Sequence, residues 1–113
     1  MTKLKDFNNK RNKGNALISK ANYIGFNRFL NLDTNAYKNG TIPEKYKEMI
    51  GLASSMVLRC NDCIAYHIEQ CYNLGASKEE LIEAMNIALI IGGSIVIPHL
   101  RYGLEIVEEL FNN

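Results

Sequence analysis

Apolar residues recur every three to four positions along most of the chain, and no period of two persists over the length of a strand. The pattern predicts an all-α protein. Met49, Leu52, Ala53, Met56, Val57 and Cys60 form one helical stripe. It is entered at Thr41-Ile42-Pro43-Glu44, where Thr41 is a candidate cap and proline suits the first turn. Cys60, Cys63, Ile64, His67, Ile68, Cys71 and Leu74 repeat the pattern, with Asp62, Glu69 and Asn73 on the opposite side. That periodicity turns both cysteines and His67 inward together. Gly75 is a natural helix stop. Ser77 and Glu80 spell a capping box ahead of Leu81, Ile82, Ala84, Met85, Ala88 and Leu89. Gly92 and Gly93 break that helix, and a last one runs from about Ile95 or Pro98 to Phe111. The first 40 residues are less regular. Leu17, Ile18, Ala21, Tyr23, Ile24, Phe26, Phe29 and Leu30 suggest one or two helices broken near Gly25 and ended at Asn39-Gly40. No internal repeat or low-complexity segment interrupts the chain.

With 113 residues, 47% of them apolar, the chain can bury a core as one domain spanning residues 1–113. Net charge is +1, so no global field draws it to nucleic acid or to an anionic membrane. Near the start, Lys3, Lys5, Lys10, Arg11 and Lys13 face only Asp6, which predicts a solvated, flexible basic terminus over residues 1–14. The longest stretch without formal charge, Ala84 to Leu100, is interrupted by Gly92, Gly93, Pro98 and His99. A membrane span needs about 20 continuous apolar residues. The stretch therefore reads as a buried helix pair able to serve a subunit interface. Three cysteines and the lack of an apolar leader point to a cytoplasmic chain with reduced thiols.

The chemistry concentrates in RCNDCIAYH, residues 59–67. On a helix, Cys60 and Cys63 would have Cα atoms about 5 Å apart, a separation a disulfide tolerates. Cys60 falls near a helix N-terminus, where backbone N–H groups and the dipole favour a thiolate. His67 lies one turn beyond Cys63 and can exchange protons near neutral pH. A sulfur redox cycle is thus available, in which one thiol reduces a peroxide and the other resolves the sulfenic acid. An external dithiol would then reduce the disulfide, and the sulfur pair needs neither metal nor organic cofactor. Zinc fits poorly, because Cys60 and Cys71 would stand about 16 Å apart on one continuous helix. The plain alternative is a set of small buried hydrophobes with a satisfied core histidine. That reading suits Cys71, which has no partner at disulfide spacing.

PEKYKEMIGLASSMVLRCNDCIAYHIEQCYNLGASKEELIEAMNIALIIGG, covering the motif region 43–93, resembles the core of the carboxymuconolactone decarboxylase and alkylhydroperoxidase D-like superfamily, specifically its CxxC-containing peroxidase branch. A looser likeness extends from Phe26 to Phe111. The resemblance implies a compact all-α domain that assembles into homo-oligomers, commonly trimers or hexamers. It implies that Cys60 and Cys63 are the redox pair, with His67 and Glu48 relaying protons. The implied partners are a small hydroperoxide and an external dithiol or thiol-protein reductant. Spacing alone would leave Glu48 solvated on the flank of the Met49 stripe. Asp62 departs from the best-known peroxidase members, which carry histidine before the second cysteine, and a carboxylate there disfavours a neighbouring thiolate. Two other readings stay in view: a decarboxylase-like lyase using His67 and Glu48, and a non-catalytic redox-sensing oligomer.

Overall fold

The computed structural model describes residues 2–112. Its helices are α1 (Lys3–Ala21), α2 (Ile24–Ala36), α3 (Glu44–Val57), α4 (Asn61–Asn73), α5 (Lys78–Gly92) and α6 (Ile97–Phe111), with a 3-10 turn at Ser94–Val96. No strand occurs among the described residues. The apolar stripes meet as their spacing predicts: α3 packs along α4 and α5, and α6 closes over α4. Leu52, Met56, Ile64, Ile68, Leu81, Ile106 and Val107 are withdrawn from solvent. Burying a side chain of this size contributes about 1.5–3 kcal/mol, so this cluster fixes how α3 and α4 face one another.

Local signals set several boundaries as expected. Gly75 has φ 86°, a conformation that only glycine adopts without strain. The Ser77–Glu80 capping box forms, with both reciprocal bonds present. Gly92 ends α5, and Gly93 follows with φ 78°.

Four expectations are corrected. The basic start is not a solvated tail. Residues 3–13 belong to α1, with Thr2 accepting from the Lys5 N–H. Leu4 and Phe7 of that stretch are buried, and the Glu109 carboxylate accepts the N–H groups of Lys3 and Leu4 at 3.1 Å each. The lysines hid an amphipathic helix whose partners, α4 and α6, lie far along the chain. The first break falls at Asn22, with φ 47°, instead of Gly25. Asn tolerates this left-handed turn, whereas Gly25 sits inside α2. The cap of α3 is not Thr41: Pro43 holds the N-cap position, and Asn39 Oδ1 accepts the Glu44 N–H at 2.7 Å. Lastly, Cys60 does not extend the α3 stripe but caps α4.

Helix α2 stands apart from this core. None of its residues is buried, and Phe26, Phe29, Leu30 and Leu32 are exposed. Its C-terminal end is nonetheless anchored, because Lys47 Nζ donates to the Ala36 and Lys38 carbonyls at 2.8 Å each. That anchor holds Tyr37 beside the site. Among the described residues no helix is long and apolar enough to cross a membrane.

Candidate active site

Cys60 and Cys63 are joined as a disulfide, with Cα atoms 5.3 Å apart. The separation follows from the helix start. Cys60 is the N-cap of α4 and Cys63 its third residue, and the Cys63 N–H donates to Cys60 Sγ at 3.2 Å. A sulfur in that position satisfies one of the backbone donors that every helix N-terminus leaves unpaired. The cysteines do not both face inward as periodicity suggested: Cys63 is exposed and Cys60 half-buried, while Ile64 fills the core. At the first turn of a helix, the side that faces the core is set by where the preceding loop enters. The spacing of apolar residues does not report that.

His67 is inward, at 9% exposure, and its Nδ1 is 2.7 Å from Glu48 Oε1. Glu48 is only 3% exposed. Its expected solvated position is therefore wrong, because α4 covers that flank of α3 and supplies an imidazole partner. With Glu48 ionised, Nδ1–H donates to the carboxylate and Nε2 is left for proton exchange. Gly51, one turn along α3, makes the approach feasible: a Cβ there would lie 2.7–2.9 Å from the imidazole ring atoms.

A cavity of about 390 Å³ opens over this group, lined by Cys63, Asp62 and His67 from α4 and by residues from α1 and α2. Tyr37 and Tyr66 flank the imidazole, with ring centroids 5.6 and 5.3 Å from it. Burial and then the Glu48 charge push both phenols above their usual range. They are neutral O–H donors at the cavity wall near pH 7. Cys71 is elsewhere, fully buried, with its thiol pushed up to about 12 chiefly by burial. It is unreactive as a nucleophile at neutral pH.

The sequence-predicted set Cys60, Cys63, His67 and Glu48 thus lies within one α3–α4 junction. Several contributors escaped the sequence reading as site residues. Tyr37 comes from outside the motif with nothing nearby to mark it, and Arg11 was read only as part of a basic start. His99 was visible only as a break in an apolar run; its Nδ1 is 2.7 Å from Asn61 Oδ1, tying α6 to the residue after Cys60.

The profile of the carboxymuconolactone decarboxylase family matches residues 25–109. Among solved structures, a protein of Thermotoga maritima superposes with a TM-score of 0.91 at 46% identity, over 96% of this chain and 95% of that one. A second structure of it, with TM-score 0.89 and 47% identity over 95% and 91% of the two chains, is described as a carboxymuconolactone decarboxylase family protein with a suggested part in the antioxidative response. A family member from Legionella pneumophila, 28% identical, superposes with a TM-score of 0.83 over 97% and 96% of the two chains. An uncharacterised protein of Cupriavidus necator is 33% identical over 58 residues, about half the length of each chain.

Proposed function

The chain belongs to the carboxymuconolactone decarboxylase family, and on that premise we propose that it is a thiol-dependent peroxidase cycling between a Cys60/Cys63 dithiol and disulfide. The observation that carries this reading is a disulfide-linked pair of which Cys63 lines a cavity together with His67, itself backed by buried Glu48. Cys63 is the attacking thiol, since it lines the cavity with His67. Its thiolate attacks the terminal peroxide oxygen, the O–O bond breaks, and the alkoxide leaves as alcohol with a proton relayed through Nε2. The Cys63 sulfenic acid is then attacked by Cys60 sulfur; the S–O bond breaks, water leaves and the disulfide forms. An external dithiol returns two electrons by exchange, becoming a disulfide itself. Cytoplasmic thiol pools are kept reduced and suit that step.

The working assembly is a homo-oligomer, a trimer or hexamer. Support comes from large apolar side chains left exposed, Phe26, Phe29 and Leu32 on α2 and Ile87, Ile90 and Ile91 on α5, since clustered exposed apolar residues mark association surfaces.

The test is stoichiometric. Reduced protein receives one equivalent of hydroperoxide, and new bonds are located by mass spectrometry. A 60–63 disulfide is expected, with sulfenic acid trapped on Cys63 in Cys60→Ser. A double-serine variant that keeps the parent's dithiol-driven turnover would overturn the reading and favour acid–base chemistry by His67 and Glu48.

A further inference from the structure

We propose that Arg11 is an anion-recognition group of the redox cavity and that the preferred substrate is a hydroperoxide bearing a carboxylate. This rests on the peroxidase reading above and names its substrate class.

Among the described residues Arg11 has no carboxylate in an ion pair with it. The Arg11 guanidinium carbon lies 4.5 Å over the Tyr66 ring, a cation–π contact that holds the group at the cavity wall. Among the described residues the side-chain ion pairs are Lys3–Glu105, Lys45–Glu80, Lys78–Glu108 and His67–Glu48. Arg11 and its neighbour Lys10 are in none of them, although both line the cavity that contains Cys63 and His67. A guanidinium held over a ring and outside any ion pair has N–H donors to offer, and they match a carboxylate with two parallel hydrogen bonds.

Position relative to the sulfur supports the same conclusion. Tyr66 touches the Arg11 guanidinium and lies 5.3 Å from the His67 ring, so one aromatic side chain spans the distance between them. A ligand stretched along Tyr66, with buried Phe7 as a second apolar wall, puts its peroxide beside Cys63 and its acid group at Arg11. Asp33 and Asp62 also line the cavity and balance the formal charge of Lys10 and Arg11. Selection therefore comes from contact at the α1 wall, since the cavity as a whole has no net formal charge from these four groups.

The experiment compares 4-hydroperoxy-4-methylpentanoate with its methyl ester, which share a peroxide and differ in charge. Turnover driven by dithiothreitol gives kcat/KM for each on the same enzyme sample. The parent protein is expected to favour the acid by about tenfold or more, the effect of one charge-assisted bidentate pair. In Arg11→Gln the acid-to-ester ratio is expected to fall below about threefold, and in Lys13→Gln, outside the cavity, to stay at the parent value. Because the readout is a ratio, partial loss of folded enzyme does not disturb it. Equal use of both substrates by the parent, or an unchanged ratio in Arg11→Gln, overturns the inference and leaves the peroxidase reading standing. Failure of the reduced parent to turn over either substrate overturns both.

Discussion

Gly51 is where the site is most sensitive to a single carbon. The imidazole of His67 occupies the volume that a side chain at position 51 would need. Gly51→Ala must therefore push His67 off Glu48 or separate α3 from α4. We expect it to destabilise the fold by about 1–3 kcal/mol, as overpacking does, and to slow peroxide turnover beyond what lost stability explains. Urea unfolding combined with initial rates checks this; a variant as fast and as stable as the parent would show that the close approach is unimportant. Asp62 is the second sensitive residue, because its carboxylate shares the cavity with Cys63. Asp62→Asn removes a charge that disfavours a neighbouring thiolate and should raise the initial rate of peroxide reduction at neutral pH; an unchanged rate would show that the carboxylate does not act on the sulfur. At this scale the sequence was informative where chemistry is local. Cys60, Cys63 and His67 stand within eight positions of one another, and their spacing anticipated the 5.3 Å Cα separation. It misled for Glu48, whose neighbour is 19 positions away, and for Cys63, whose exposure depends on the loop before α4.

Helix boundaries were legible where a side chain caps its own helix. Ser77 and Glu80 do so, and Ser77→Ala should cost about 1 kcal/mol in thermal or chemical unfolding. The α3 start was misread because its capping oxygen comes from Asn39, outside the expected Thr41-led entry. Glu80 also reaches across to Lys45 of α3, at 3.2 Å. Its pKa is lowered first by the Ser77 backbone N–H and then by Lys45, while the Lys45 pKa is raised mainly by its hydrogen bond to Glu80. For a lowered carboxylate, the stabilisation is present above its unfolded pKa and lost as pH falls through the folded value. For a raised lysine, it is present below the unfolded pKa and lost as pH rises through the folded one. Stability from this pair should hold between the two ranges and fall off on either side. Glu80→Gln should flatten the acid limb, as melting temperatures across pH would reveal; an unaltered limb would assign acid sensitivity to other carboxylates.

The molecule is less compact than its length requires. Its radius of gyration is 14.6 Å, against about 13 Å for a globular chain of this size. Part of the excess is the α1–α2 arm, with Leu17, Phe29 and Leu32 each about two-thirds exposed. An all-α core was readable from periodicity because α3 to α6 bury their stripes within the chain. Periodicity did not reveal that α2 buries nothing, since an apolar face looks alike whether its partner is the same chain or a second copy. If self-association covers these faces, Phe29→Glu with Ile90→Glu should shift sedimentation from oligomer to monomer. A parent protein that sediments as a monomer would remove the case for assembly.

The sulfur at the head of α4 has a spectroscopic consequence. Because the Cys63 amide donates to Cys60 Sγ in the disulfide-linked state, reduction of the pair should alter the bond that begins the helix. A single backbone resonance, the ¹⁵N–¹H signal of Cys63, should then jump between two positions as oxidant and reductant alternate. The protein would carry its own gauge of the state of the sulfur pair, readable without a dye or a coupled assay.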